Sequence, residues 1–139
     1  MTELSPENIN VSTWKIPSPL GIIGSHANGE FNGMTASWFT QVSMDPALIG
    51  VGIDNKSVTF SLMDQSEYFT LNMFSPEYTK VFVKFSKPAE YTDGFLNKEP
   101  IFLTENNVPV FQNATVWFEL KTTQKIDFGT HTLFVGEIV

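Results

Sequence analysis

Hydrophobic and polar residues alternate along most of the chain with the two-residue period of half-buried β-strands. Asn28-Gly29 and Asn32-Gly33 are strong turn signals, and they predict a hairpin whose return strand covers residues 34–42. Apolar runs bounded by Pro, Gly, Asn or Asp predict further strands over 20–25, 48–53, 68–74, 109–111, 114–121 and 132–139.

The apolar period becomes helical in two places. Val58, Leu62 and Met63 form one stripe of a short helix, with Ser57 as its N-cap, and a second helix opens at Ser75-Pro76 and continues to Phe85. Residues 86–100 are predicted to form a long irregular excursion. Many short strands with two helices predict a mainly β, barrel-like domain over 1–139, without internal repeats. The last predicted strand runs to the final residue, so we expect further chain beyond it.

Composition excludes several classes of function. Fifteen acidic and eight basic residues give a net charge of −7, which argues against binding to nucleic acid or an anionic membrane. The chain has no cysteine and only two histidines, so we expect no metal site. The first ten residues are polar and no apolar window approaches ~20 residues, so the sequence predicts neither a signal peptide nor a membrane span, and a cytoplasmic location.

Residues 54–59 are a candidate anion site. A predicted strand ends there and a helix begins, and Lys56 supplies positive charge in an otherwise acidic chain. Ser57 and Thr59 add hydroxyl donors. The alternative interpretation is an ordinary capped helix beside a solvated lysine.

A candidate surface for a flat ligand surrounds Trp38. Thr35-Ala36-Ser37-Trp38 combines small, hydroxylated and aromatic residues, and Gly50 and Gly52 leave one face of the next strand bare. The alternative is a strand with polar residues facing outward. His131 stands in Gly129–Thr132, where a surface histidine is the alternative to a functional one. Dinucleotide and phosphate-loop glycine motifs are missing from the sequence.

An ordered series of motifs resembles the flavin reductase-like family of FMN-binding split barrels. The order and spacing agree from about residue 16 to the end of the chain. The matching segments are 32–39, 42–49, 55–59, 69–73, 84–86, 91–95 and 129–137.

The resemblance implies a Greek-key-like split β-barrel that forms a homodimer and binds FMN, with NAD(P)H as co-substrate. It places Thr35, Ala36, Ser37 and Trp38 along the flavin ring and ribityl chain, with backbone N–H groups near Ala36 and Ser37 facing the ring. The implied phosphate ligands are Asn55, Lys56, Ser57 and Thr59. Lys84 and Phe85 would approach from the second helix, and His131 would lie near the flavin as the catalytic residue.

Departures from the family pattern leave three functions open. Thr130 stands where many flavin reductases have Asp, and Ala47 follows Asp45-Pro46 where a second proline is common. The Gly-Thr-His form is similar to flavin domains that exchange electrons with proteins such as rubredoxin or flavodiiron proteins. The leading interpretation is an NAD(P)H-dependent flavin reductase. The alternatives are an FMN electron carrier with a redox-protein partner and a split barrel that binds haem or another flat ligand.

Overall fold

The computed structural model describes residues 4–139, which form two antiparallel sheets and three short helices. The helices are α1 (Pro6–Thr13), α2 (Val58–Asp64) and α3 (Lys80–Lys84), and a 3-10 turn covers Pro76–Tyr78. The strands are β1 (Gly21–Ala27), β2 (Glu30–Ala36), β3 (Phe39–Met44), β4 (Ala47–Asp54), β5 (Tyr68–Met73), β6 (Tyr91–Thr92), β7 (Phe95–Leu96), β8 (Glu99–Leu103), β9 (Pro109–Phe111), β10 (Val116–Asp127) and β11 (His131–Ile138).

The larger sheet curls so that its two ends approach each other. Its seven strands follow the order β2-β1-β5-β10-β11-β4-β3. Gly21 of β1 nevertheless lies close to β3 at the far end, because a Cβ placed there would be 3.2 Å from the Phe39 ring. The mainly β, barrel-like class predicted from the sequence is therefore confirmed. In the part of the chain that the structure describes, every helix is too short and too polar to cross a membrane.

The core is divided by the sheet because neighbouring residues of a strand point to opposite faces. Ile23 packs inside the curled sheet with Val51, Phe69 and Phe134, among others. Its neighbour Ile22 packs on the outer face with residues of α3 and the smaller sheet, namely Val81, Phe85, Leu96, Ile101 and Phe111.

The first hairpin confirms one of the two predicted turn signals. Asn28 and Gly29 connect β1 to β2 with left-handed φ angles of 51° and 79°. Asn32-Gly33 was predicted as a turn, which is wrong, because both residues lie within β2. Gly33 allows close packing instead, since a Cβ there would lie 2.9 Å from the Phe111 ring and 3.0 Å from the Phe85 ring.

The return strand predicted over 34–42 is also wrong as a single element. The chain leaves β2 after Ala36 and forms β3 from Phe39, and these two strands lie at opposite ends of the larger sheet. Ser37 and Trp38 form the connection between β2 and β3. Asp45-Pro46 forms the turn between β3 and β4, and its peptide bond is cis.

Three further predictions require correction. The sequence interpretation assigned no structure to the segment that forms α1, which begins at the N-cap Ser5 and buries no side chain. The helix predicted from Pro76 to Phe85 is divided into the 3-10 turn and α3. The excursion over 86–100 contains β6, β7 and the start of β8. Strands of two residues carry no readable period, and left-handed φ angles at Asp93, Gly94, Asn97 and Lys98 supply the turns between them.

Candidate functional site

Three segments meet where strands of the larger sheet end: the end of β4, the start of β11 and the connection between β2 and β3. His131 pairs with Asp54 in the β4–β11 register. The Trp38 ring lies 4.5 Å from the His131 ring, centroid to centroid, with an angle of 42° between the planes. The N–H of Gly52 donates to the Trp38 carbonyl at 2.8 Å, which fixes the backbone beneath this ring pair.

The glycines of β4 leave space for the protein's own side chains. A Cβ at Gly52 would lie 3.5 Å from Trp38 Cβ, and one at Gly50 would lie 3.3 Å from Leu133. The face that the sequence predicted to be bare is therefore covered by Trp38 and Leu133. Trp38 remains 59% exposed, so its other surface is open to a ligand.

Ser57 begins α2 as the sequence predicted. Its Oγ accepts from the N–H of Phe60 at 3.0 Å and donates to the Asp54 carbonyl at 2.8 Å. The Asp54 carboxylate accepts from the N–H of Lys56 at 2.8 Å. These bonds hold the loop so that the Lys56 side chain projects from it into an exposed position.

Asn55 braces this loop against the loop between β10 and β11. Its side-chain N–H groups donate to the Gly129 carbonyl at 3.0 Å and to Asp127 at 3.3 Å. Its Oδ1 accepts from Thr132 at 2.6 Å, and its backbone N–H donates to the Thr130 carbonyl. The amide donors of Asn55 are thus committed within the protein, so the residue positions the loop that carries Lys56 and the strand that carries His131.

A cleft of about 270 Å³ opens beside the start of α2, and we call it the basic cleft. Its lining includes Lys56, from the loop before α2, and Lys87, from the segment after α3. Neither lysine forms an ion pair among residues 4–139. The cleft is lined by Asn32, Met34, Lys56, Ser57, Val58, Thr59, Ser86, Lys87 and Pro88.

Buried polar groups connect the walls of the basic cleft. The Asn32 amide is 3% exposed, donates to Thr59 Oγ1 at 3.1 Å and accepts from the N–H of Ala89 at 2.8 Å. Thr59 itself is 1% exposed. This chain of bonds joins β2, α2 and the segment that carries Ser86 and Lys87, so the cleft has a preformed floor.

Two residues assigned by resemblance have side chains outside the basic cleft. Lys84 forms an ion pair with Glu99 at 2.8 Å, and Glu99 is 5% exposed. Phe85 is fully buried, with its ring 5.0 Å from the Phe111 ring. The structure places both in the packing between α3 and the smaller sheet. The backbone of Phe85 still contributes to the site, because its carbonyl accepts from the N–H of Thr35 at 3.0 Å.

The residues of 35–38 divide into anchoring and accessible groups. Thr35 donates its hydroxyl to the Phe82 carbonyl at 2.7 Å, and Ala36 is buried. Ser37 follows the last residue of β2, so its N–H lies beyond the strand ladder. Ser37 and Trp38 are therefore the residues of this segment that are placed to contact a ligand.

Asn32, Ser86 and Lys87 line the basic cleft but were not among the predicted site residues. Asn32 was interpreted as part of a turn because Gly33 follows it. Ser86 lay at the edge of the resemblance, directly after Lys84-Phe85, whereas Lys87 carried no signal other than its charge. The contact between residues 86–88 and α2 depends on tertiary packing that no local pattern encodes.

The donors of the basic cleft fit a phosphate group. The two lysines offer charge-assisted hydrogen bonds, which are the strong class for phosphate oxygens, whereas the hydroxyls of Ser57 and Ser86 donate to the Asp54 and Val83 carbonyls. The exposed Trp38 ring, with the half-buried His131 ring against it, suits a flat ligand. Within residues 4–139, no three His, Asp or Glu side chains are grouped as a metal site would require.

The curled sheet and this site define a split-barrel protein of the flavin-binding type. The family described as flavin reductase like domain matches residues 13–139. The chain therefore belongs to that family, and the resemblance seen in its motifs is confirmed.

Individual relatives agree with this assignment. The stachydrine N-demethylase reductase subunit Stc3 of Rhizobium meliloti is 32% identical over 117 residues, which cover 84% of this chain and 50% of that protein. The ferric-chelate reductase (NAD(P)H) of Archaeoglobus fulgidus is 32% identical over 132 residues, which cover 91% of this chain and 76% of that protein. The chain thus spans about half the length of the Rhizobium meliloti relative.

A solved structure shows the same fold. The crystal structure of an FMN-binding protein from Thermus thermophilus with bound p-hydroxybenzaldehyde superimposes with a TM-score of 0.78 and 26% sequence identity. The match covers 91% of this chain and 72% of that one.

Proposed function

We propose that this chain is an NAD(P)H-dependent flavin reductase domain that holds FMN. The observation that carries the proposal is that β4 ends at Asp54, which pairs with His131 of the Trp38–His131 ring pair and binds the N–H of Lys56 of the basic cleft, within the fold of this family. A flavin mononucleotide has a dianionic phosphate at one end and a flat ring at the other. The two parts of the site match those two ends.

Different residues bind the phosphate and the ring of FMN. Lys56 and Lys87 neutralise the phosphate and donate to its oxygens. Ser37 and Trp38 receive the ring, and the Ser37 N–H supports negative charge on the reduced flavin. His131, held by its place opposite Asp54 and by the Trp38 ring, orients the nicotinamide.

Bound FMN would supply the redox chemistry of the site. Held by Ser37 and Trp38, it would supply a two-electron acceptor for the hydride of NAD(P)H and a donor of two electrons to a second flavin or to a redox protein. The same assignment includes a cytoplasmic location, where the reduced nicotinamide is regenerated.

A second copy of the chain is the proposed structural partner. Val42 and Met44 are 50% and 86% exposed on β3, which is an edge strand of the larger sheet. Exposed apolar side chains on a sheet edge are typical of contact surfaces. Light scattering of the protein as it elutes from a size-exclusion column should give the mass of a dimer. Met44→Glu should shift the measured mass toward that of the monomer.

Anaerobic mixing of the protein, FMN and NADH or NADPH tests the proposed reaction. We expect the visible flavin band to bleach with one nicotinamide oxidised per flavin. A flavin that binds but is bleached only by a reduced rubredoxin-like protein would replace the reductase with an electron carrier. Failure to take up FMN would overturn both and favour a different flat ligand.

A further inference from the structure

The segment that follows α3 lies along an edge of β2 and is hydrogen-bonded to that strand at two points. β2 ends the larger sheet, so in the described part of the chain this edge carries no further strand. The first bond joins two backbones, because the N–H of Thr35 donates to the Phe85 carbonyl at 3.0 Å. The second joins a backbone to a side chain, because the N–H of Ala89 donates to Asn32 Oδ1 at 2.8 Å. Residues 86–88 therefore bridge two fixed points on one strand.

These three bridging residues all line the basic cleft, and all three are exposed. The Ser86 hydroxyl donates to the Val83 carbonyl at 2.9 Å, which attaches it to α3. Within residues 4–139, Lys87 forms no hydrogen bond through its backbone N–H or its ammonium group, and Pro88 has no N–H to donate. The position of Lys87 therefore depends on the attachments on either side of it.

Only the second attachment depends on the identity of a side chain. A bond between two backbones can form with almost any residue, whereas the bond to Ala89 requires an acceptor on the side chain of residue 32. Asn32 is held from its other end, since its Nδ2 donates to Thr59 Oγ1 at 3.1 Å and the residue is 3% exposed. The two bonds fix the orientation of the carboxamide, because only its oxygen can accept from an N–H.

We propose that Asn32 is a positioning residue for the phosphate site. It holds Lys87 in the basic cleft, and through Lys87 it makes the protein prefer a flavin that carries a phosphate to one that does not. This inference rests on the proposed function. The physical reason is preorganisation, because a lysine on a segment that is fixed before the ligand arrives loses less conformational freedom on binding. Without the Asn32 bond, the attraction between Lys87 and the phosphate must also offset the ordering of residues 87–89.

The test is a double-mutant cycle, measured as the ratio of the Kd for riboflavin to the Kd for FMN. Asn32→Ala should lower this ratio by about three- to tenfold, while the Kd for riboflavin stays within twofold of wild type. Added to Lys87→Gln, Asn32→Ala should change the ratio by less than twofold, because the amide acts through this lysine. Added to Lys56→Gln, it should keep its full effect, since the Lys56 backbone is held separately by Asp54.

Ser25→Ala is the matched control. Ser25 pairs with Asn32 in the β1–β2 register and is fully buried, but its hydroxyl bonds to no residue of the described chain. This variant changes the same part of the sheet and leaves the bond to Ala89 in place, so the ratio should stay within twofold of wild type.

Ala89→Pro removes the same hydrogen bond from its other end, because proline has no N–H. It should reproduce the lowered ratio of Asn32→Ala. Since residue 89 lies outside the helices and strands, this variant also tests the inference if the loss of the buried Asn32 amide prevents folding.

The outcomes separate the inference from the proposed function. A wild-type protein with equal affinity for FMN and riboflavin contradicts the proposed phosphate site itself. A wild-type protein that prefers FMN, with the same preference in Asn32→Ala and Ala89→Pro, contradicts only the role of Asn32. That role is also overturned if the two variants weaken FMN and riboflavin equally, or if Asn32→Ala keeps its full effect in the Lys87→Gln protein.

Discussion

The Trp38 indole and the His131 imidazole lie 4.5 Å apart at their centroids, although they come from the first crossing and the last strand of the barrel. The contact exists because the N–H of Gly52 on β4 binds the Trp38 carbonyl and because β11 pairs His131 opposite Asp54. The pair joins the flat-ligand part of the site to the loop that carries Lys56.

Removal of the imidazole should slow hydride transfer without releasing the flavin. For His131→Ala we expect kcat/KM for NADH to fall by about tenfold, the equivalent of about 1.4 kcal/mol of lost positioning. The Kd for FMN should stay within twofold, measured by quenching of flavin fluorescence. His26→Ala is the control, because His26 stacks on Phe31 at 4.6 Å and does not line the basic cleft. Full activity in His131→Ala would remove His131 from the site.

Replacement of Lys84 should lower the free energy of unfolding and leave the affinity for FMN unchanged. Lys84 is the cation partner of Glu99, which is 5% exposed, so Lys84→Met leaves a buried carboxylate without a cation and with the Tyr78 hydroxyl as its remaining donor. The Lys84 side chain is itself 42% exposed, and solvent screening therefore limits the expected loss of unfolding free energy to about 1–2 kcal/mol.

Urea unfolding and FMN titration of the same Lys84→Met protein check this expectation together. Lys84→Met/Glu99→Gln should recover part of the stability, since the unpaired charge is gone. Unchanged stability with weaker FMN binding would show that Lys84 contacts the flavin, as the family resemblance implies.

Gly33 should be intolerant of a side chain. A methyl group there would lie 2.9 Å from the Phe111 ring and 3.0 Å from the Phe85 ring, and both rings are buried. Overpacking of this kind costs about 1–3 kcal/mol, so Gly33→Ala should lower the urea midpoint clearly. Gly52→Ala provides the comparison, because its added methyl would make an ordinary 3.5 Å contact with Trp38. Equal midpoints for the two variants would contradict the packing described for Gly33.

Stability should depend on pH through His26. Burial lowers the pKa of His26 below its ordinary value of 6.5. The unfolded chain therefore binds this proton more tightly than the folded protein, so the contribution is complete above pH 6.5 and is lost as the pH falls below that value. His26→Gln should lose less stability than wild type between about pH 7.5 and 5.5. Parallel unfolding curves for the two proteins across that range would show that His26 does not contribute.

The elements that the sequence predicted well are those with a strong local signal. Ser57 was identified as an N-cap because an apolar stripe follows it, and β4, β5 and β11 were identified by alternation. The predictions failed where tertiary packing decides. Asn32-Gly33 has the composition of a turn, yet Gly33 sits in a strand because two phenylalanine rings need the space.

In the candidate site, too, the residues with a local sequence signal were predicted and those placed by tertiary packing were not. Lys56, Ser57 and Thr59 lie in one short segment and were found from it. Lys87 was missed because its place in the basic cleft depends on the Asn32 side chain, which bonds to Thr59 of α2 and to Ala89 beside Lys87. Trp38 and His131 could be named as candidates, but their contact depends on the pairing of strands far apart in sequence.

The most direct test of the proposed site is the affinity of the protein for FMN compared with riboflavin, which lacks the phosphate. We expect FMN to bind at least about tenfold more tightly, and Lys56→Gln/Lys87→Gln to abolish that difference while riboflavin binding stays unchanged. Lys121→Gln, an exposed lysine on β10, should leave both affinities as they are. Equal affinity of the wild-type protein for FMN and riboflavin would contradict the assignment of the basic cleft as the phosphate site.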